Sequence, residues 1–238
     1  MPGSIKSIAK LIDHSLLHPQ LGDKELQAGC LLARQYDVAS VCIKPYAVPL
    51  AREILAKSLV RVGTVIGFPH GSNHLEIKVK ETEKALADGA EELDMVINIG
   101  KVLSADWAYI ADEIRTINNI LINKNGLLKV IFENDFLTDP SYKLKLCEIC
   151  NQQAVAFVKT STGYGFVKQK DGNYNYSGAT DADLVLMRHN CIKSVQIKAA
   201  GGIRTLDDLL RVKALGVTRV GTTSTKNILQ EAKDRGYI

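Results

Sequence analysis

Ala87-Asp88-Gly89-Ala90-Glu91-Glu92-Leu93-Asp94-Met95-Val96-Ile97 is the segment on which the fold turns. A helical pattern runs into Gly89, which supplies the left-handed residue that closes a helix. A short apolar strand follows. Side chains of a strand alternate faces with period two. Leu93, Met95 and Ile97 therefore share one face, and Glu92, Asp94 and Val96 share the other. The same joint returns at Ala214-Leu215-Gly216-Val217, ahead of Arg219-Val220-Gly221.

Working outward from this joint, strands are expected over 12–17, 38–43, 60–66, 91–97, 128–133, 155–160, 195–199 and 218–221. Helical patterns fill 23–36, 46–57, 73–88, 105–123, 139–152, 180–190, 206–215 and 225–235, after a short first helix near 4–10. Each crossover between strands is then a helix, which implies parallel pairing. Eight strands alternating with eight helices favour a closed (β/α)8 TIM barrel over an open doubly wound sheet. No linker or low-complexity stretch divides the chain, so one domain over 1–238 is expected, close to the ~250 residues usual for this architecture.

In a barrel each strand turns an apolar face outward to the helices. That points Asp94 and Lys198 towards the axis. Ala154-Val155-Ala156-Phe157-Val158 is apolar on both faces until Lys159, the pattern of a strand buried on both sides. Lys159 thus falls at the carboxyl end of its strand, where barrel enzymes carry their catalytic groups. One reading is a structural ion pair of Lys159 or Lys198 with Asp94. The other is a reactive amine. Two ammonium groups at ~4 Å repel by about 4 kcal/mol at an effective dielectric near 20. Such repulsion lowers one lysine's pKa and leaves a neutral, nucleophilic fraction.

Lys198-Ala199-Ala200-Gly201-Gly202-Ile203-Arg204-Thr205 sets paired glycines after the seventh strand. Gly221-Thr222-Thr223-Ser224-Thr225 follows the eighth and precedes a helix. Loops at these two places, with a helix amino terminus, commonly hold phosphate in such barrels. Gly163, Gly201, Gly202, Thr223 and Ser224 are the candidate phosphate-binding residues.

The net charge of +4 suits a small anionic substrate and carries no basic stripe that would argue for nucleic acid. No apolar run approaches the ~18 residues of a membrane span. The start, Met1-Pro2-Gly3-Ser4-Ile5-Lys6, has no signal-peptide core. Five cysteines, an odd number, fit a reducing cytoplasm.

These pieces together resemble deoxyribose-phosphate aldolase, nearly end to end. The likeness runs from Leu11-Ile12-Asp13-His14-Ser15-Leu16-Leu17 through Val41-Cys42-Ile43-Lys44-Pro45 and Gly67-Phe68-Pro69-His70-Gly71 to Gly221-Thr222-Thr223-Ser224. Its most specific parts are Phe157-Val158-Lys159-Thr160-Ser161-Thr162-Gly163 and Ile197-Lys198-Ala199-Ala200-Gly201-Gly202-Ile203-Arg204. The resemblance implies a class I lyase without metal or organic cofactor. It would cleave 2-deoxy-D-ribose 5-phosphate reversibly to acetaldehyde and D-glyceraldehyde 3-phosphate. It implies Lys159 as the Schiff-base lysine, Lys198 as the neighbour that lowers its pKa, and Asp94 in proton transfer with an ordered water. Asp13, Cys42, Lys44 and Tyr237 are further candidates for the site's lining, and a homodimer is expected.

The chain departs from the family's pattern in places. The stretch 165–178 is longer than the family's loop after the sixth strand, Thr223 stands where serine is common, and Phe132-Glu133-Asn134-Asp135-Phe136 differs after Glu133. The pairs His14/His18 and His70/His74 have helical spacing but lack the glutamate of a zinc-protease motif. Cys147-Glu148-Ile149-Cys150 reads as packing within a helix. Two rival functions stay open: another phosphosugar barrel enzyme, and a phosphosugar-binding barrel without turnover.

Overall fold

The computed structural model describes residues 4–238; the reading of Met1-Pro2-Gly3 lies outside them. Eight parallel strands close into a barrel: β1 (Ile12–Leu16), β2 (Ser40–Ile43), β3 (Arg61–Ile66), β4 (Glu92–Val96), β5 (Leu127–Ile131), β6 (Phe157–Lys159), β7 (Gln196–Ala200) and β8 (Arg219–Thr222). Each strand pairs with its neighbours in sequence, and β1 closes on β8 with Ile12 opposite Val220. The helices are α1 (Ile5–Ala9), α2 (Asp23–Tyr36), α3 (Val48–Leu55), α4 (Leu75–Ala87), α5 (Ile99–Leu103), α6 (Trp107–Ile122), α7 (Pro140–Gln152), α8 (Asp181–Asn190), α9 (Leu206–Ala214) and α10 (Thr225–Asp234). Among the described residues, no helix is long and apolar enough to cross a membrane.

The main core lies between the barrel and its helices. Ile110, Ile114, Ile117 and Leu121 of α6 recur at spacings of four, three and four, and all are fully buried. That is the apolar stripe of a helix laid on a sheet. Local signals set the boundaries. Thr180 caps α8 by accepting from the N–H of Asp183, and Thr205 with Asp208 forms a capping box on α9. Gly89 and Gly216 follow α4 and α9 at φ of 102° and 90°, as their sequence joints imply.

Three local expectations change. The helix expected over 46–57 is shorter, because Pro45 starts a separate 3-10 turn before α3. The one expected from residue 105 is preceded by its own short helix, α5, capped by Asn98. The long stretch after β6 carries an antiparallel hairpin, Val167–Lys168 paired with Tyr174–Asn175.

An ion pair sits within the helical layer. Lys78 of α4 and Glu113 of α6 meet at 2.6 Å, both fully buried. Lys78 also donates to the carbonyl of Val96, and Glu113 accepts from the N–H of Asn98. The pair therefore ties the end of β4 to α4 and α6. Burial pulls the Lys78 pKa down and pushes that of Glu113 up, each opposed by its partner. Lys78→Met is expected to leave an uncompensated buried carboxylate and to destabilise the fold by about 3 kcal/mol. In a thermal melt this corresponds to a fall of roughly 6–12 °C for a domain of this size. The double variant Lys78→Met/Glu113→Leu should recover most of that loss.

Candidate active site

Strand register assembles the charged groups at the axis. β6 and β7 align Lys159 with Lys198, and β4 and β5 align Asp94 with Lys129. All four side chains point inward and are essentially buried. Asp94 Oδ2 accepts from Lys159 Nζ and from Lys198 Nζ, each at 2.7 Å, and Oδ1 accepts from Lys129 Nζ at 3.0 Å. One carboxylate thus holds three ammonium groups.

A second layer lies beneath. Lys129 contacts Glu92 at 2.6 Å, and Asp13 lies 2.6 Å from Lys198 and 3.2 Å from Lys129. Asp13 Oδ2 makes these as charge contacts, without an aligned hydrogen bond. Arg219 closes the layer against Asp13 and Glu92, and Ser40 donates to Asp13 at 2.6 Å. Asp13, Glu92 and Asp94 are three carboxylates; Lys129, Lys198, Arg219 and Lys159 are four cations. With every group ionised, one positive charge is left over in a place where burial disfavours it.

Lys159 is where that excess falls. Its pKa is lowered, first by burial and then by Lys198, with Asp94 and Cys42 opposing. Lys198 and Lys129 move the other way: despite burial, Asp13 and Asp94 raise both, with Glu92 also acting on Lys129. This corrects the expected cause. Crowding by Lys198 contributes, but burial leads, and the carboxylates protect the charges of Lys198 and Lys129. Asp94 is held well below the ordinary carboxylate range by the three lysines, against burial.

Above these groups a cavity of about 600 Å³ opens at the carboxyl ends of the strands. Lys159, Lys198, Asp13 and Cys42 reach its floor, and Gly163, Gly201, Gly202 and Thr223 form part of its wall. Among the described residues, the backbone N–H groups of Gly163, Gly202 and Thr223 have no protein acceptor. Such unpaired donors around one space suit an anion. Arg204 adds a cation to the same wall. Cys42, packed with Leu17, Val65, Phe68 and Tyr164, gives the other flank an apolar lining.

Two residues that the sequence offers for the site, Lys44 and Tyr237, lie elsewhere, for local reasons. Lys44 turns its ammonium to the carbonyls of Pro19 and Leu21, at 3.0 and 2.6 Å. Ser224 directly follows Thr223 of the cavity wall; its N–H donates to Thr222 Oγ1, and its hydroxyl makes no capping bond to α10. Tyr237 follows α10, which runs away from the mouth, and packs partly buried against the core. The chain end is tied to α1 by a bond from the Ile5 N–H to the Ile238 carbonyl.

The motifs do not reach several other residues of the site. Lys129, Glu92 and Arg219 complete the ion layers. Glu133 is buried and accepts from the Thr162 N–H at 3.1 Å, bracing the segment after Lys159. Tyr164, Phe166 and Tyr176 bring aromatic rings to the cavity. His14 sits behind the floor, bonded to Thr225 at 2.8 Å; burial lowers its pKa to about 4, so it is neutral near pH 7.

Comparison with known proteins gives the same assignment. The profile described as DeoC/LacD family aldolase matches residues 7–231. The chain is 46% identical over 226 residues to the deoxyribose-phosphate aldolase of Rhodopirellula baltica, covering 95% of this chain and 89% of that one. It is 41% identical over 229 residues to the deoxyribose-phosphate aldolase of Thermococcus gammatolerans, covering 95% and 97%. A solved tetrameric deoxyribose phosphate aldolase from Aeropyrum pernix superposes with a TM-score of 0.85 at 26% identity, covering 98% of this chain and 93% of that one. The chain belongs to the DeoC/LacD aldolase family.

Proposed function

We propose that this chain cleaves 2-deoxy-D-ribose 5-phosphate reversibly to acetaldehyde and D-glyceraldehyde 3-phosphate, with Lys159 as the Schiff-base nucleophile. Its membership of the aldolase family and its likeness to deoxyribose-phosphate aldolases support the reaction. The observation that carries the role of Lys159 is the unequal charge at the axis, with four cations facing three carboxylates and the lysine pKa lowered at Lys159. A neutral amine is the form that attacks a carbonyl.

In this reading Lys159 Nζ adds to the C1 aldehyde, and loss of water gives a protonated imine. The imine draws electrons from the C2–C3 bond as the C3 hydroxyl loses its proton. Glyceraldehyde 3-phosphate leaves, and the enamine is protonated and hydrolysed to acetaldehyde. Asp94, bonded to both Lys159 and Lys198, links the two amines and gives protons a short path between them. The lysine itself supplies the electron sink, so no metal or organic cofactor enters the scheme. The Gly201–Gly202 turn and the N–H groups of Gly202 and Thr223, with Arg204, hold the phosphate, and that remote binding assists the step at C3.

Borohydride reduction in the presence of acetaldehyde tests this directly. The expected product is an N-ethyl-lysine at residue 159, found by peptide mapping. A product without modification there, with the enzyme otherwise active, would reject the assignment.

The reading extends to one catalytic domain over 1–238, acting as a homodimer in the cytoplasm. Five free buried thiols support a reducing compartment.

A further inference from the structure

The hairpin after Lys159 has no part in the scheme above, yet it is built into the mouth of the barrel. Its exit is fastened at several points. The Ser177 and Gly178 N–H groups donate to the Asp135 carboxylate, the latter at 3.0 Å. The Ala179 N–H donates to the Gly201 carbonyl at 3.2 Å. Gly178 and Gly201 approach so closely that a methyl group on Gly178 would come within 2.7 Å of that carbonyl oxygen. Any side chain at residue 178 would therefore lift the hairpin off the turn that carries the unpaired Gly202 N–H.

Two rings are fixed by this arrangement. Phe166 enters the hairpin and Tyr176 leaves it, and they meet edge to face with centroids 5.2 Å apart. Both line the cavity. The edge of the Tyr176 ring lies 3.4 Å from where a β-carbon on Gly201 would sit. The ring thus lies against Gly201, in the lining of the cavity that also carries Gly202 and Arg204. A tyrosine suits the position because its body is apolar and its tip is a hydrogen-bond donor. With the ring already held by Phe166 and Gly201, little further ordering is needed when an anion arrives.

We propose that Tyr176 is a further substrate-binding residue, its hydroxyl donating to the phosphate seated over Gly201 and Gly202, with the hairpin holding it in place. This rests on the reading of the site under the proposed function. Backbone donors cover the phosphate from the barrel side, and Tyr176 closes it from the hairpin side.

The test is Tyr176→Phe, which removes one oxygen and keeps the ring packing. Steady-state cleavage is measured with 2-deoxyribose 5-phosphate and with 2-deoxyribose, and inorganic phosphate is titrated as a competitive inhibitor. Loss of one hydrogen bond to a charged group is expected to lower the preference for the phosphorylated sugar about tenfold or more, mainly through KM. The inhibition constant for phosphate should rise in parallel. An unchanged preference and unchanged phosphate inhibition overturn the proposal, as does an equal loss on both sugars. Acetaldehyde carries no phosphate, so trapping of the wild-type protein is independent of Tyr176. If Lys159 of the wild type is not trapped, the retro-aldol reading falls and this proposal with it. If trapping succeeds while Tyr176→Phe keeps its preference, only the role of Tyr176 falls.

Discussion

Lys159→Met is expected to lose retro-aldol cleavage by roughly 10⁴-fold or more in kcat, because no other group replaces the covalent nucleophile. The same variant should not be less stable than the parent. Removing Lys159 leaves Lys129, Lys198 and Arg219 against Asp13, Glu92 and Asp94, an equal count. Removing a charge in excess lifts its burial cost. Lys129 and Lys198 still pair with Asp94, so no carboxylate is left uncompensated, and the change is expected to be near neutral or stabilising. The pH dependence has a definite sign. The folded-state pKa of Lys159 is lowered below its ordinary 10.5. Between those two values the unfolded chain binds more protons, so stability rises with pH across that window. The methionine variant lacks that contribution, and its advantage over the parent should shrink towards pH 10. Denaturant melts of both proteins at pH 7 and pH 10, beside a cleavage assay, check this. An inactive variant that is also several kcal/mol less stable would make Lys159 a structural cation and defeat the mechanism. Retained turnover would defeat it from the other side.

The paired lysines are legible in the sequence because their surroundings are so uniform. Lys159 interrupts a run of five apolar residues, and period two turns Asp94 and Lys198 to the axis whatever the details of the barrel. Lys129 carries the same signal within Leu127-Leu128-Lys129-Val130-Ile131, and the pattern alone is enough to find it. Glu92 shares the axis-facing side with Asp94, but its pairing with Arg219 is harder to read. Each is the first residue of its strand, a place where charge is ordinary, and only the stagger of the closed barrel brings Arg219 of β8 to Glu92 of β4. The misplaced candidates have a related cause. Lys44 sits beside the right strand, but local carbonyls claim it first. Tyr237 depends on where α10 sends the chain end, and α1 receives it. The length of the stretch after β6 is plain in the sequence. That it folds back to place Tyr176 on Gly201 depends on its bonds to Asp135, a residue whose own surroundings in the sequence carry no sign of that role.

Asp94→Asn is the second change with a large expected effect, and it separates stability from chemistry. Asp94 is the shared acceptor of Lys129, Lys159 and Lys198. Without its charge, four buried cations face Asp13 and Glu92 alone. Breaking a buried ion cluster in this way is expected to cost about 3–5 kcal/mol at pH 7. The cost has a pH signature. Asp94 is depressed well below 3.8 in the folded state, so its contribution is fully present above that value and is lost as pH falls through the folded pKa. The stability gap between parent and variant should therefore hold constant from pH 7 down to about pH 4 and shrink progressively as the pH falls further. For the chemistry, loss of the carboxylate removes the main opposition to deprotonation of Lys159. The acid limb of borohydride trapping should move to lower pH, so that the amine is captured as readily as in the parent or more so. Turnover should nevertheless fall by about 10²–10³-fold, the scale of a lost acid–base group, because protons no longer pass between Lys159 and Lys198 through a carboxylate. Trapping that weakens in step with turnover would mean that Asp94 does no more than hold Lys159 in place, and the proton-transfer role would have to be given up.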